Sequence, residues 1–203
     1  MATIRYLSHA GFEIRNGKTV LIDPYFVGND LAPVYNGKPD LVLVTHEHSD
    51  HYDRRFLSRL SCPIVCPREV QHKGATSMKA GQTRSFDGVI VRMFPVSHHQ
   101  SKCPNGYIIE YGGKRVAHLG DTYIDGVREL GSIDILLVPI GGHFTMNIDE
   151  AVEALKILKP RISIPMHFDT FPEIKANPSV FKEKAEKEGF RVEILKINES
   201  RLF

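Results

Sequence analysis

The segment Thr45-His46-Glu47-His48-Ser49-Asp50-His51 places three imidazoles and the Asp50 carboxylate within six residues. Imidazole nitrogen and carboxylate oxygen are the donors that zinc and similar divalent ions accept, and so dense a group of titratable side chains is unfavourable unless something binds it. A turn at a strand end lets neighbouring side chains converge without the geometric limits of a helix. The spacing suits two adjacent ion sites rather than one.

The elements that must carry this group are legible around it. The apolar run 41–44 directly precedes it and reads as a buried strand. Further strands are expected over 4–7, 12–14, 19–22, 63–66, 89–96, 107–111, 115–119, 135–138, 162–165 and 191–197. Asn16-Gly17 is the strongest hairpin signal, since both turn positions favour positive φ, and Gly112-Gly113 marks a second turn. Asn147 followed by Glu150 resembles a capping box, after which Ile148, Ala151, Val152, Leu155 and Leu158 recur at helical spacing until Pro160. Asn177, Pro178 and Gly189 bracket another helix with Phe181 and Ala185 on its apolar side, and short helices are expected over 53–60 and 125–130.

The 203 residues suffice for one domain with its own core, and 42% hydrophobic and 25% charged residues are ordinary globular values. A net charge of +2 gives no field that implies nucleic acid or membrane. The three cysteines, Cys62, Cys66 and Cys103, form no disulfide framework and suit a reducing cytoplasm, which is the expected location. The start lacks the apolar stretch of a signal peptide, and no run approaches the ~20 apolar residues that span a bilayer.

The pattern His-x-His-x-Asp-His after a strand resembles the signature of the metallo-β-lactamase superfamily. Three later segments resemble the rest of that family's pattern, in order: Phe94-Pro95-Val96-Ser97-His98, Gly120-Asp121-Thr122 and Ile164-Pro165-Met166-His167. The resemblance implies an α/β fold, the four-layer αββα sandwich, as a single domain over 1–203 with the site at one sheet edge. It also implies that His46, His48 and His98 (or its neighbour His99) hold one ion and that Asp50, His51 and His167 hold another, with Asp121 bridging them. Two divalent ions are thus expected, zinc first, with manganese or iron as alternatives. Such a pair would hold a bridging hydroxide for hydrolysis, with Asp50 steering the nucleophile and accepting its proton.

Residues outside that set divide into two groups. Leu7-Ser8-His9-Ala10-Gly11 resembles the Gly-His-Ala opening of the lactonase-like branch, with Ser8 in place of glycine and His9 expected beside a ligand. Gly141-Gly142-His143-Phe144-Thr145-Met146 resembles a segment of metal-dependent hydrolases in the same branch. There His143 would contact substrate or protonate a leaving group. Asp23 before Pro24 either orients a ligating histidine or ends a strand, whereas His72, His99 and His118 read as structural. Cys62 and Cys66 read as free thiols, and Cys103 falls near the site. The resulting expectation is a hydrolase for a small substrate, a lactone or phosphoester, that binds neither nucleic acid nor membrane. A phosphodiesterase or nuclease and a non-catalytic metal sensor are the alternatives.

Overall fold

The computed structural model describes residues 2–203. The chain first lays down β1 (Thr3–Ser8), β2 (Gly11–Asn16), β3 (Lys18–Ile22) and β4 (Leu41–Leu43). One helical turn, α1 (Arg54–Leu57), then leads to β5 (Ile64–Pro67) and β6 (Thr76–Met78). A second series follows, with β7 (Thr83–Phe86), β8 (Val89–Pro95), β9 (Asn105–Tyr111), β10 (Lys114–His118) and β11 (Ile135–Pro139). Helix α2 (Ile148–Leu158), β12 (Ile162–Met166) and α3 (Pro178–Lys187) complete it, and β13 (Ser200–Leu202) returns to the first sheet. The first sheet has the order β13-β1-β2-β3-β4-β5-β6 and the second β12-β11-β10-β9-β8-β7.

Period-two alternation decides which side chains face which layer. In β4, Leu41 and Leu43 enter the core between the sheets, joined there by Ile135 and Leu137 of β11. Their neighbours Val42 and Val44 face the outer side of the first sheet, packing with Leu57 of α1. Leu136 and Val138 face the opposite way, under Ala151, Leu155 and Phe181 of α2 and α3. Both strands are therefore apolar on both faces, as strands covered on each side must be. The layer order is αββα, with the outer layer on the first sheet reduced to α1 and flanking loops.

Both longer helices form where their end signals stand. The Asn147 side chain accepts from the Glu150 N–H at 3.0 Å, and the Glu150 carboxylate accepts from the Asn147 N–H at 2.9 Å. Asn177 accepts from the Ser179 N–H at 2.9 Å. Gly189 takes a φ of +86° just past the end of α3.

Several local expectations are corrected. The helix expected over 53–60 shrinks to the single turn α1; Asp53 caps it and also accepts from the Phe26 and Val27 N–H groups, which ties its start to a loop. The helix over 125–130 is a single tight turn at Ile124–Gly126, followed by extended Val127. The strand expected over 191–197 is reduced to one bridge between Val192 and Ser163, and the terminal pairing with β1 is made by β13 instead. Strands β6 and β7 are not among the expected strands: β7 is polar and largely exposed, and β6 buries only Met78, so neither carries a run of alternation. Of the two glycine turns, only Gly112-Gly113 has positive φ at both positions, closing Tyr111 onto Lys114. Asn16 stays in register with Lys18, and Gly17 alone takes positive φ. Among the described residues no helix is long and apolar enough to cross a membrane.

Asn147→Ala removes the α2 cap and is expected to lower unfolding stability by about 1 kcal/mol. Leu155→Ala opens a cavity under α2 and is expected to lower it by about 3 kcal/mol. Urea unfolding followed by circular dichroism checks both.

Candidate metal centre

Strand direction brings the chemistry-bearing residues to one place. Strands β1, β3 and β4 run one way in the first sheet, and β8, β10, β11 and β12 share a direction in the second. The carboxyl ends of these strands carry His9, Asp23, the 45–51 turn, His98, Asp121, the 141–143 turn and His167 respectively. Tight packing holds the turn under Asp121. Gly120 has a φ of +62°, and a Cβ there would lie 2.6 Å from the Asn105 carbonyl oxygen. Only glycine meets both conditions.

Two groups of donors result. His46, His48, His98 and Asp121 offer one ligand atom each, all within 4.8 Å of one another, and His9, Asp50, His51 and His167 do the same. The Asp121 carboxylate stands between them. One oxygen lies 3.2 Å from His51 Nε2; the other lies 3.2 Å from His167 Nε2, 3.7 Å from His98 Nε2 and 3.9 Å from His46 Nε2.

A further ring of contacts fixes which imidazole nitrogen points inward. Asp23 accepts from His51 Nδ1 at 2.8 Å, from the Thr45 hydroxyl at 2.7 Å and from the Thr45 N–H at 2.8 Å. The Thr45 oxygen in turn accepts from His46 Nδ1 at 3.0 Å. His98 Nδ1 donates to the Phe144 carbonyl at 3.1 Å, and His48 Nε2 donates to the Gln100 carbonyl at 3.1 Å. Each contact turns the other ring nitrogen toward the centre.

What remains inside is unsatisfied. His46 Nε2, His51 Nε2, both ring nitrogens of His167 and one Asp121 oxygen are buried without a hydrogen-bond partner. Unpartnered buried polar atoms are rare because each costs about 1–3 kcal/mol. A convergent set of imidazole and carboxylate donors satisfied by divalent cations removes that penalty, so these residues fit metal ions.

The electrostatics agree with this fit. Burial pushes His46 down to about 3 and His9 down to about 4, so both imidazoles are neutral at pH 7, as His46 must be to act as a ligand. Burial likewise lowers His98. Asp121 is buried, which alone would raise it, yet His167 and His51 hold it well below the usual carboxylate range. Asp50 is lowered in the same way, against burial, by the His9 hydrogen bond and by His51.

Other expected residues fall elsewhere. His98 turns inward, whereas His99 is exposed and stacks on Tyr123 with centroids 5.1 Å apart. His118 is buried with both nitrogens used, donating to the Ala10 carbonyl and accepting from the Gly120 N–H. His72 meets the Tyr52 hydroxyl. His143, expected to touch substrate or protonate a leaving group, is exposed with its ring edge-on to Phe144, and it does not line the cleft over the donor groups. Phe144, from the same Gly141–Met146 segment, lines that cleft in its place, as does Phe171, which carried no sequence signal. Cys103 donates to Glu47, a residue inside the histidine motif that sequence reasoning passed over. Although burial opposes it, Cys103, the Lys102 N–H and Ser101 hold the Glu47 carboxyl down to about 2, tying the histidine turn to the loop after His98.

Replacing Asp23 by alanine leaves all the inward-facing donors in place but frees His51 and Thr45. Metal affinity, measured by competition with a chelator, is expected to fall about 10- to 100-fold. The ion-free protein should also lose stability in mild acid. Its unfolded histidines take up protons near pH 6.5, whereas folded His9 and His46 do so only near about 4 and about 3. The unfolded state therefore binds more protons in between, and stability falls as pH falls. His51 is raised despite its burial, by Asp121 and Asp23, so its contribution is fully present below pH 6.5 and does not oppose this trend. A lower Tm at pH 4.5 than at pH 6.5 after chelator treatment is the expected result.

Comparison with known proteins agrees with the fold. Residues 3–167 match the family described as the Beta-lactamase superfamily domain. The chain is 36% identical over 219 residues to a UPF0173 metal-dependent hydrolase of Thermus thermophilus, covering 98% of each. It is 40% identical over 211 residues to one of Thermoplasma volcanium, covering 94% of each. The structure superimposes on that of Igni18, a metallo hydrolase from the hyperthermophilic archaeon Ignicoccus hospitalis, with a TM-score of 0.87 at 31% identity, covering 100% of this chain and 99% of that one. By sequence and by fold, the chain belongs to the β-lactamase superfamily and, within it, to the UPF0173 metal-dependent hydrolases.

Proposed function

We propose that this protein is a binuclear metal-dependent hydrolase acting on a small molecule, a lactone or a phosphoester. One observation carries the reading: buried donors without hydrogen-bond partners converge from two sides on the single carboxylate of Asp121. In this reading His46, His48 and His98 hold one ion and Asp50, His51 and His167 the other, with Asp121 shared between them. Zinc is the preferred ion, and manganese or iron are the alternatives that the same donors accept.

Two such ions supply Lewis acidity at the substrate oxygen and bring the ionisation of water near neutral pH. The protein does the rest. Asp50 lines the cleft with its side chain 22% exposed, so one carboxylate oxygen can steer water toward substrate and accept its proton. The other is held by His9 Nε2 at 3.1 Å, and His9 Nδ1 is held in turn by the Thr170 hydroxyl. With both its nitrogens used, His9 positions Asp50. No step is assigned to His143, whose ring stands outside the cleft.

Elemental analysis of the purified protein tests the reading beside an Asp50→Ala, Asp121→Ala double variant. About two equivalents of divalent ion in the parent, lost together with hydrolysis in the variant, is the expected result. A folded protein that takes up no ion when metal is supplied would sink it.

A further inference from the structure

The cleft above the donor groups has a volume of about 190 Å³, and the half-buried Phe144 and Phe171 are the two aromatic hydrocarbon side chains that line it. Both residues are tied to the site. Phe144 sits on a turn whose Gly141 passes so close to His167 that a Cβ would lie 2.2 Å from the His167 carbonyl oxygen. Its own carbonyl receives the His98 N–H, which ties this wall to the donor group beneath. Phe171 packs edge-on against His9 with centroids 5.5 Å apart and against Tyr25 at 6.3 Å. An apolar slot thus leads down to the donors.

The charges of the slot are informative as well. Among the described residues no lysine or arginine lines it. The amide side chain on its wall, Gln100, is paired with the Tyr123 hydroxyl through both its nitrogen and its oxygen. A phosphate monoester would bring two charges and a third unbridged oxygen, for which proteins ordinarily provide arginine or lysine. A carboxylic ester develops negative charge on one oxygen only.

We propose that the substrate is a small uncharged lactone or ester with an aromatic or other flat apolar group that packs against Phe144 and Phe171. This rests on the hydrolase reading and selects within it. Water oxygen bonds to the carbonyl carbon, the acyl–oxygen bond breaks, and one water proton passes to the leaving oxygen. The acid product ionises and releases the other.

The test compares 3,4-dihydrocoumarin with 4-nitrophenyl phosphate and bis(4-nitrophenyl) phosphate on metal-loaded protein. Alongside it, calorimetry measures the affinity of 2-tetralone, the unhydrolysable carbocyclic counterpart of dihydrocoumarin. Dihydrocoumarin is expected to show the highest kcat/KM. Phe144→Ala and Phe171→Ala are each expected to raise its KM, and the Kd of 2-tetralone, about tenfold at unchanged metal content. Preference for either phosphoester by the loaded protein overturns the substrate proposal and leaves the hydrolase reading standing. So does a loaded protein that leaves dihydrocoumarin intact, or a 2-tetralone affinity that neither substitution alters. Failure to bind metal marks the different case in which the hydrolase reading itself falls.

Discussion

A charged carboxylate buried among imidazoles is the constraint around which this molecule is arranged. Asp121 is 3% exposed, lies within 4 Å of four histidines and keeps one oxygen without a hydrogen-bond partner. Without cations the inward imidazole nitrogens and this oxygen stay unpartnered, at a cost of about 1–3 kcal/mol for each buried polar atom. The fold meets this by fixing the imidazoles from behind, through Asp23, Thr45 and two backbone carbonyls, so that their inward nitrogens and the carboxylate define the positions of positive charge.

The same edge of the sandwich stores backbone strain. Ser8, His9, Asp23, His143, His167 and Asp169 all have positive φ without being glycine. Each such residue costs on the order of 1 kcal/mol, and every one sits at or just beyond the carboxyl end of a strand that feeds the centre. Ser8, at +101°, occupies a conformation that glycine adopts with least cost, and its hydroxyl is held by Asn29. The sheets and their packed core supply the rigidity against which this strain is held.

The cleft is tied to the same scaffold. Phe144 and Phe171 stand on turns from two neighbouring strands of the second sheet, one linked by hydrogen bond to His98 and the other packed on His9. The apolar slot and the donor groups are therefore one mechanical unit. Glu47 adds a third tie, accepting from Cys103, Ser101 and the Lys102 N–H, which links the histidine turn to the loop after His98.

Local chemistry made much of this legible in advance. The donor motif, the two capped helices and the buried strands around 41–44 and 135–138 are written in contiguous residues, because ligand spacing, N-caps and alternation are short-range properties. The weaker elements were not. Polar edge strands such as β7 carry no alternation, and β13 forms only because its backbone finds the free edge of β1. The roles of single histidines were equally hidden: His98 and His99 are adjacent in sequence, yet one meets the Phe144 carbonyl and the other the Tyr123 ring. Sequence by itself determined which donor types are present and roughly which strands carry them. Tertiary structure decided which nitrogens face inward, that Phe144 rather than His143 walls the cleft, and that Asp23 orients His51, since each of these depends on contacts between residues far apart in the chain.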